Sequence, residues 1–317
     1  MTIERTTRTY LAVPAHRARL LASAAKSQAD AVFLDLEDAV PPNEKHAALA
    51  SACDALTTLD WGDKTIAVRI NAFGSAWIED EVARLAALTR LDAVLMPKAE
   101  RVADVMTIRG WIDQVARPAT RPPLEIDLLI ETALGLVNVE ALAQADRAIG
   151  ALHLGVGDFA ASIGARSVQI GESPVRYRHT SRASNRDAAA SYVETPLDLF
   201  AYPMMRLLVA ARAFGLRAID GPCGAYEDTA LTRMLAEKAA ALGFDGKQVI
   251  HPTQIDITRD AFLPTDEELA HARRVIHAMR AAEAAGQGAV SVDGKMIDYA
   301  NLRLAERVIK LAGAGAD

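Results

Sequence analysis

Glu131 and Asp158 are the residues whose type and placement point first to chemistry. They lie in the stretch 124–159, LEIDLLIETALGLVNVEALAQADRAIGALHLGVGDF, where Glu131 follows the apolar run LLI and Asp158 follows HLGVG. The stretch reads as strand, helix, strand. Strands joined by such a crossover lie parallel in one sheet, so both carboxylates emerge at the same edge. Two acidic oxygens converging at strand ends suit a hard divalent cation. The competing reading is that each carboxylate caps the helix after it, since acidic residues favour helix starts.

The elements that must position this pair repeat along the chain. Short apolar runs at 9–14, 31–38, 65–71, 92–98, 126–130, 151–156, 216–222 and 245–252 alternate with helical segments. Near-continuous apolar runs of this length are what parallel strands buried on both faces look like. Eight β–α steps in about 250 residues predict a (β/α)8 TIM barrel, an α/β fold. A doubly wound open sheet is the alternative, but no GxGxxG follows the first run. Asp35, Glu37, Asp38, Arg69, Asn71, Lys98, Glu131, Asp158, Asp220 and His251 all fall at the C-terminal ends of runs. Barrel enzymes build their active sites on that face, so the pattern predicts an enzyme.

Composition narrows the field further. The chain has 317 residues, 51% of them hydrophobic, and a net charge of -6 with no long basic run. Nucleic acid is therefore not an expected partner. No run of about 18 apolar residues occurs, and the start MTIERTTRTY lacks an apolar signal core, so no membrane segment and a cytoplasmic location are expected. Cys53 and Cys223 are too few for a disulfide framework and read as free thiols.

Two segments stand outside the barrel, which is expected to span 1–262. Residues 165–197 form a polar excursion after the sixth run, of a length that points to a lid or interface element. Residues 263–317 form a C-terminal extension with a helix from Thr265 to Ala285, a capping box of Thr265 with Glu268, and a hairpin turn at Asp293-Gly294 before a last helix.

Eight motifs in order carry a resemblance. They are VPAHR (13–17), FLDLEDAV (33–40) with Lys45 downstream, VRIN (68–71), LMPKAE (95–100), LLIETALGLVN (128–138), LGVGDFAASIGA (154–165), GFDGKQVIHPTQI (243–255) and DGKMIDYANLRLAERVI (293–309). By these the chain resembles the citrate lyase β-subunit/malyl-CoA lyase group of the HpcH/HpaI aldolase/citrate lyase superfamily, from about Thr9 to Leu311. The excursion, the DGP of 220–222 and the IHP of 250–252 look more like the malyl-CoA lyases of that group.

The resemblance implies a metal-dependent carbon–carbon lyase acting on a CoA thioester. A 3-hydroxyacyl-CoA such as L-malyl-CoA or β-methylmalyl-CoA would split into acetyl- or propionyl-CoA and glyoxylate. Citramalyl-CoA lyase, malyl-CoA thioesterase and a citrate lyase β-type subunit are the alternatives. It implies Mg2+, or Mn2+, held by Glu131 and Asp158, and Arg69 holding an oxyanion. Arg69 as a structural partner of Asp35 or Glu37 is the plainer reading. Asp38 and Lys45 would orient the metal site or Arg69, with Glu37 in that network or reaching a metal-bound water. Asp298 is the implied proton-transfer base, on a C-terminal lid shared between subunits of a homo-oligomer, trimer or hexamer; local sequence alone reads it as a helix cap. For the CoA phosphates the basic residues His16, Arg17, Arg19, Lys26 and Lys98 are available. A solvated helix face is the simpler account of Arg19 and Lys26, and metal-site support an equal account of Lys98.

Overall fold

The computed structural model describes residues 6–118, 122–182 and 192–313. Its strands in chain order are β1 (Thr9–Pro14), β2 (Ala31–Asp35), β3 (Thr65–Arg69), β4 (Ala93–Met96), β5 (Glu125–Ile130), β6 (Ile149–Leu154), β7 (Arg178–Arg182), β8 (Tyr192–Pro196), β9 (Arg217–Asp220), β10 (Gly246–Val249), β11 (Ala289–Val292) and β12 (Lys295–Asp298). Eight of them close into a parallel barrel in the order β1-β10-β9-β6-β5-β4-β3-β2. The fold is the (β/α)8 barrel that the alternating runs predict. Both β2, AVFLD, and β5, EIDLLI, are buried at every position. Packed on both faces, such strands read as apolar runs, and their few polar residues, Asp35, Glu125 and Asp127, are themselves buried.

The helices are α1 (Ala18–Ala25), α2 (Lys45–Thr58), α3 (Ile78–Ala86), α4 (Val102–Asp113), α5 (Ala133–Val137), α6 (Val139–Ala143), α7 (Val156–Ser162), α8 (Ala201–Ala213), α9 (Thr229–Leu242), α10 (Thr253–Ala261), α11 (Asp266–Ala284) and α12 (Tyr299–Leu311). Inside the barrel Tyr10, Ala31, Phe33, Ala67, Ala93, Leu95, Leu129, Ala151 and Ile219 form one cluster. The mixture of small and large side chains lets residues from opposite strands interlock across a narrow interior.

Two details depart from the sequence reading. The helix between β5 and β6 is two five-residue pieces, broken at Asn138, whose side-chain amide donates to the Glu100 carbonyl at 2.8 Å. The excursion after β6 contains an antiparallel pair, β7 with β8. All five residues of β8 are exposed, so no buried face imprints an alternating pattern there. Residues 183–191 of the excursion lie outside the described residues.

The chain divides into two compact units, residues 1–258 and 259–317. The second has its own core. Ala272, Val275, Ile276 and Met279 of α11 recur at helical spacing and pack with Ile297, Ala305 and Ile309. The expected capping box of Thr265 and Glu268 starts α11. Asp293 and Gly294 both take positive φ, as a two-residue hairpin turn requires. Among the described residues no helix is long and apolar enough to cross a membrane.

Candidate active site

Strand parity delivers the site. Side chains alternate along a strand, so the position two beyond an inward core residue also faces inward, one layer nearer the mouth. From Phe33 that position is Asp35, from Ala67 it is Arg69, and from Leu129 it is Glu131, the first residue after β5. The C-terminal mouth of the barrel thus receives charge from β2, β3 and β5 together.

Arg69 donates from Nε to Asp35 Oδ1 at 2.7 Å and from an amino nitrogen to Asp35 Oδ2 at 2.6 Å. Its other amino nitrogen lies 3.2 Å from Glu37 Oε2, and the guanidinium stands 5.8 Å from the centre of the Phe33 ring. The structural pairing with Asp35 is therefore present, and it orients the rest of the fork. Burial would raise the Asp35 pKa, but the Arg69 charge and hydrogen bonds hold it below the usual carboxylate range.

Lys98 follows β4 and reaches three carboxylates. Its ammonium pairs with Glu37 Oε1 and lies 3.4 Å from Asp38 Oδ2, while its backbone N–H donates to Glu131 Oε1 at 2.9 Å. Lys98 takes a φ of 48°, the left-handed region that costs a side-chain-bearing residue about 1–3 kcal/mol. That conformation turns the main-chain donor and the side chain toward different carboxylates at once. Burial pushes the Glu37 carboxyl upward, against the pull of Arg69 and Lys98.

Glu131 is 2% exposed. Burial pushes its pKa up to about 8, and the charges of Glu37 and Asp158 add to that effect while Arg69 and Lys98 oppose it. Gly155 makes room for it: a Cβ there would collide with the Glu131 side chain. Asp158 is half-buried in the first turn of α7. Neither carboxylate is an N-cap, though Asp158 keeps the helix-start position that favours an acidic group. Thr132 caps α5 by accepting from Gly135 N at 3.0 Å, and the N-cap of α7 is Gly155.

The donors here are all oxygen, which is what a hard dication takes. Glu37 Oε2 is buried and faces the Arg69 amino nitrogen 3.2 Å away, and Glu131 sits beside two other carboxylates whose charges, with burial, push its pKa up to about 8. Among the described residues no group of three or more His, Cys, Asp and Glu forms a cage from protein alone. A cation at Glu131 and Asp158 would keep positions for water or substrate oxygens.

The basic residues divide. His16 and Arg17 follow β1, with Arg17 Nε donating to His16 Nε2 at 2.9 Å, and Arg19 is exposed in the first turn of α1. These three are on the mouth side of the barrel. Lys26 is not. It follows the far end of α1 and lines a recess of about 600 Å3 with Arg8, Asp30 and Lys64 at the N-terminal ends of the strands. A basic residue at each end of one helix cannot serve one mouth, which removes Lys26 from the CoA-binding set. Asp298, in the second unit, caps α12 by accepting from Ala300 N at 2.8 Å and Asn301 N at 3.4 Å. His251 stacks on Tyr226 with ring centres 4.7 Å apart.

Sequence reasoning missed Gly155 and Glu81. Gly155 stands within the LGVGD motif three residues before an expected ligand, and a glycine there is a signal of close approach. Glu81 looks like an ordinary charge in a helix's first turn.

Residues 8–252 match the family model described as HpcH/HpaI aldolase/citrate lyase. An L-malyl-CoA/beta-methylmalyl-CoA lyase from Cereibacter sphaeroides is 34% identical over 311 residues, covering 97% of this chain and 95% of that protein. A (3S)-malyl-CoA thioesterase from the same species is 32% identical over 307 residues, with the same coverage of 97% and 95%. Among solved structures, protein CitE from Mycobacterium tuberculosis in complex with magnesium, acetoacetate and coenzyme A has a TM-score of 0.74 and 32% identity, covering 97% of this chain and 98% of that one. With its barrel, its mouth of strand-end carboxylates and a family match over most of its length, this chain belongs to the HpcH/HpaI aldolase/citrate lyase family.

Proposed function

We propose that this chain is a Mg2+-dependent acyl-CoA carbon–carbon lyase that cleaves L-malyl-CoA or β-methylmalyl-CoA to acetyl- or propionyl-CoA and glyoxylate. The observation that carries the reading is the buried Glu131 beside Asp158, facing the oriented fork of Arg69. Relatives named as malyl-CoA lyases, and a neighbour solved with magnesium and coenzyme A, support the substrate class.

Glu131 and Asp158 would hold the metal, which when bound supplies polarisation of the glyoxylate carbonyl oxygen. Arg69 binds the oxyanion of the thioester enolate through the amino nitrogen that Asp35 does not take, the one turned toward Glu37. In the cleavage direction the 3-hydroxyl gives its proton to water, its oxygen closes to the glyoxylate carbonyl as the carbon–carbon bond breaks, and that bond's electron pair goes to the enolate. The Asp298 carboxyl then gives a proton to the α-carbon, and takes it back in condensation. Lys98 holds Glu37 in place beside Arg69. Arg17 and Arg19 at the start of α1 meet the CoA phosphates. The working form is a homo-oligomer in which Asp298 serves a neighbouring copy's site. A cytoplasmic location goes with two unpaired thiols, Cys53 and Cys223.

Product analysis tests the reading. Purified protein with Mg2+ and malyl-CoA should yield acetyl-CoA and glyoxylate in equal amounts. Malate with free CoA would replace the lyase by a thioesterase, and turnover of citramalyl-CoA alone would move the substrate by one methyl group.

A further inference from the structure

Glu81 is 1% exposed and stands in the first turn of α3, where a carboxylate ordinarily serves its own helix. Here it reaches away from the helix. One oxygen accepts from Asn71 N at 2.8 Å, and the other accepts from Asn71 Nδ2. Asn71 follows Arg69 by two residues, and the same Nδ2 donates to the Leu36 carbonyl at 3.1 Å. Lys45 closes the arrangement from α2. Its buried ammonium donates to the Leu36 carbonyl at 2.7 Å and the Glu37 carbonyl at 2.6 Å, under the Trp77 ring. The Leu36 N–H in turn donates to the Arg69 carbonyl at 2.9 Å.

The peptide planes on both sides of Glu37 are therefore held by donors that trace back to Glu81 and Lys45. A Cα with both planes fixed aims its side chain in one direction. That direction brings the Glu37 carboxylate between Arg69 and Lys98. A buried acid, amide and lysine cost desolvation that an apolar filling would avoid, so their net effect lies in geometry more than in stability.

We propose that Glu81 is a positioning residue for the site: through Asn71 it sets the turn after β2 and so the placement of Glu37 against Arg69. This rests on the lyase reading only for its kinetic readout. The Glu81→Gln variant keeps size but replaces one acceptor oxygen by a donor, which faces an Asn71 N–H. With malyl-CoA and Mg2+, kcat should fall at least about tenfold while KM stays within about twofold. In a Glu37→Gln background the same change should cost less than about twofold, because the residue it acts through is gone. Equal losses in both backgrounds, or an unchanged kcat in the single variant, would overturn the proposal. Should Glu81→Gln fail to fold, Asn71→Ser carries the same cycle. If the wild type turns over no acyl-CoA, the lyase reading falls, and a crystal structure of Glu81→Gln decides the positioning. A Glu37 carboxylate displaced from Arg69 supports it, and an unmoved one ends it.

Discussion

Binding of Mg2+ should expel a proton from Glu131. The carboxyl's pKa is pushed up to about 8 by burial and by the neighbouring Glu37 and Asp158 charges, so at pH 7 it is about nine-tenths protonated. A metal takes the carboxylate, not the acid, so apparent affinity carries the proton as a competitor. For one group at pKa 8 the affinity should weaken about ninefold from pH 7 to pH 6, and about fifty-fold from pH 8 to pH 6. It should level off above about pH 9. A carboxyl at the ordinary value would show no dependence over that range. Titration calorimetry of the full-length protein at pH 7, in buffers of differing ionisation enthalpy, should count about 0.9 proton released per Mg2+ bound. Stability should follow the same linkage. A pKa raised on folding stabilises fully below about 4.5 and is lost as pH rises through about 8. The metal-free wild type should therefore weaken over that window by up to roughly 5 kcal/mol, and Glu131→Gln should melt higher than wild type at pH 9. Affinity flat between pH 6 and 8, with no buffer-dependent heat, would refute the assignment of Glu131 as a buried, proton-holding ligand.

Other perturbations reach neighbouring parts of the site. Glu131→Ala should abolish turnover and Mg2+ binding, checked by calorimetry, while the circular dichroism spectrum stays that of the wild type. Gly155→Ala should weaken Mg2+ binding and cost about 1–3 kcal/mol in thermal unfolding, because the new Cβ meets Glu131. Asp298→Ala should lower kcat at least about a hundredfold; mixed with Glu131→Ala under conditions of subunit exchange, it should regain activity if the base serves a neighbouring copy. Exchange without regain would put Asp298 in its own chain's site or in none. Thr265→Ala should remove about 1 kcal/mol from the start of α11, seen as faster amide exchange over its first turn.

Much of the fold was legible because burial on both strand faces leaves a continuous apolar run, and eight such runs with helices between them admit few arrangements. Glu131, Asp158, Arg69 and Lys98 were visible as candidates for a related reason: polar residues closing apolar runs have one face on which to emerge. The antiparallel pair of β7 and β8 was not legible, since a strand without a buried face carries no period. Nor was the break at Asn138, which answers to a carbonyl on another segment.

Local sequence determined the elements, their order and the end of the barrel at which charge collects, because propensity and periodicity act over a few residues. Which charges meet was decided only by tertiary structure. Arg69 turns most of its fork to Asp35, Lys98 bends into a left-handed conformation to reach three acids, and Glu81 crosses from its helix to hold Asn71. Lys26 and Arg19 differ by seven positions in the chain yet fall at opposite ends of the barrel, because α1 runs the barrel's length between them. The raised pKa of Glu131 likewise has no counterpart in its own neighbourhood of sequence. It arises from burial and from charges that β2 and α7 bring to it, and only closing the barrel sets those distances.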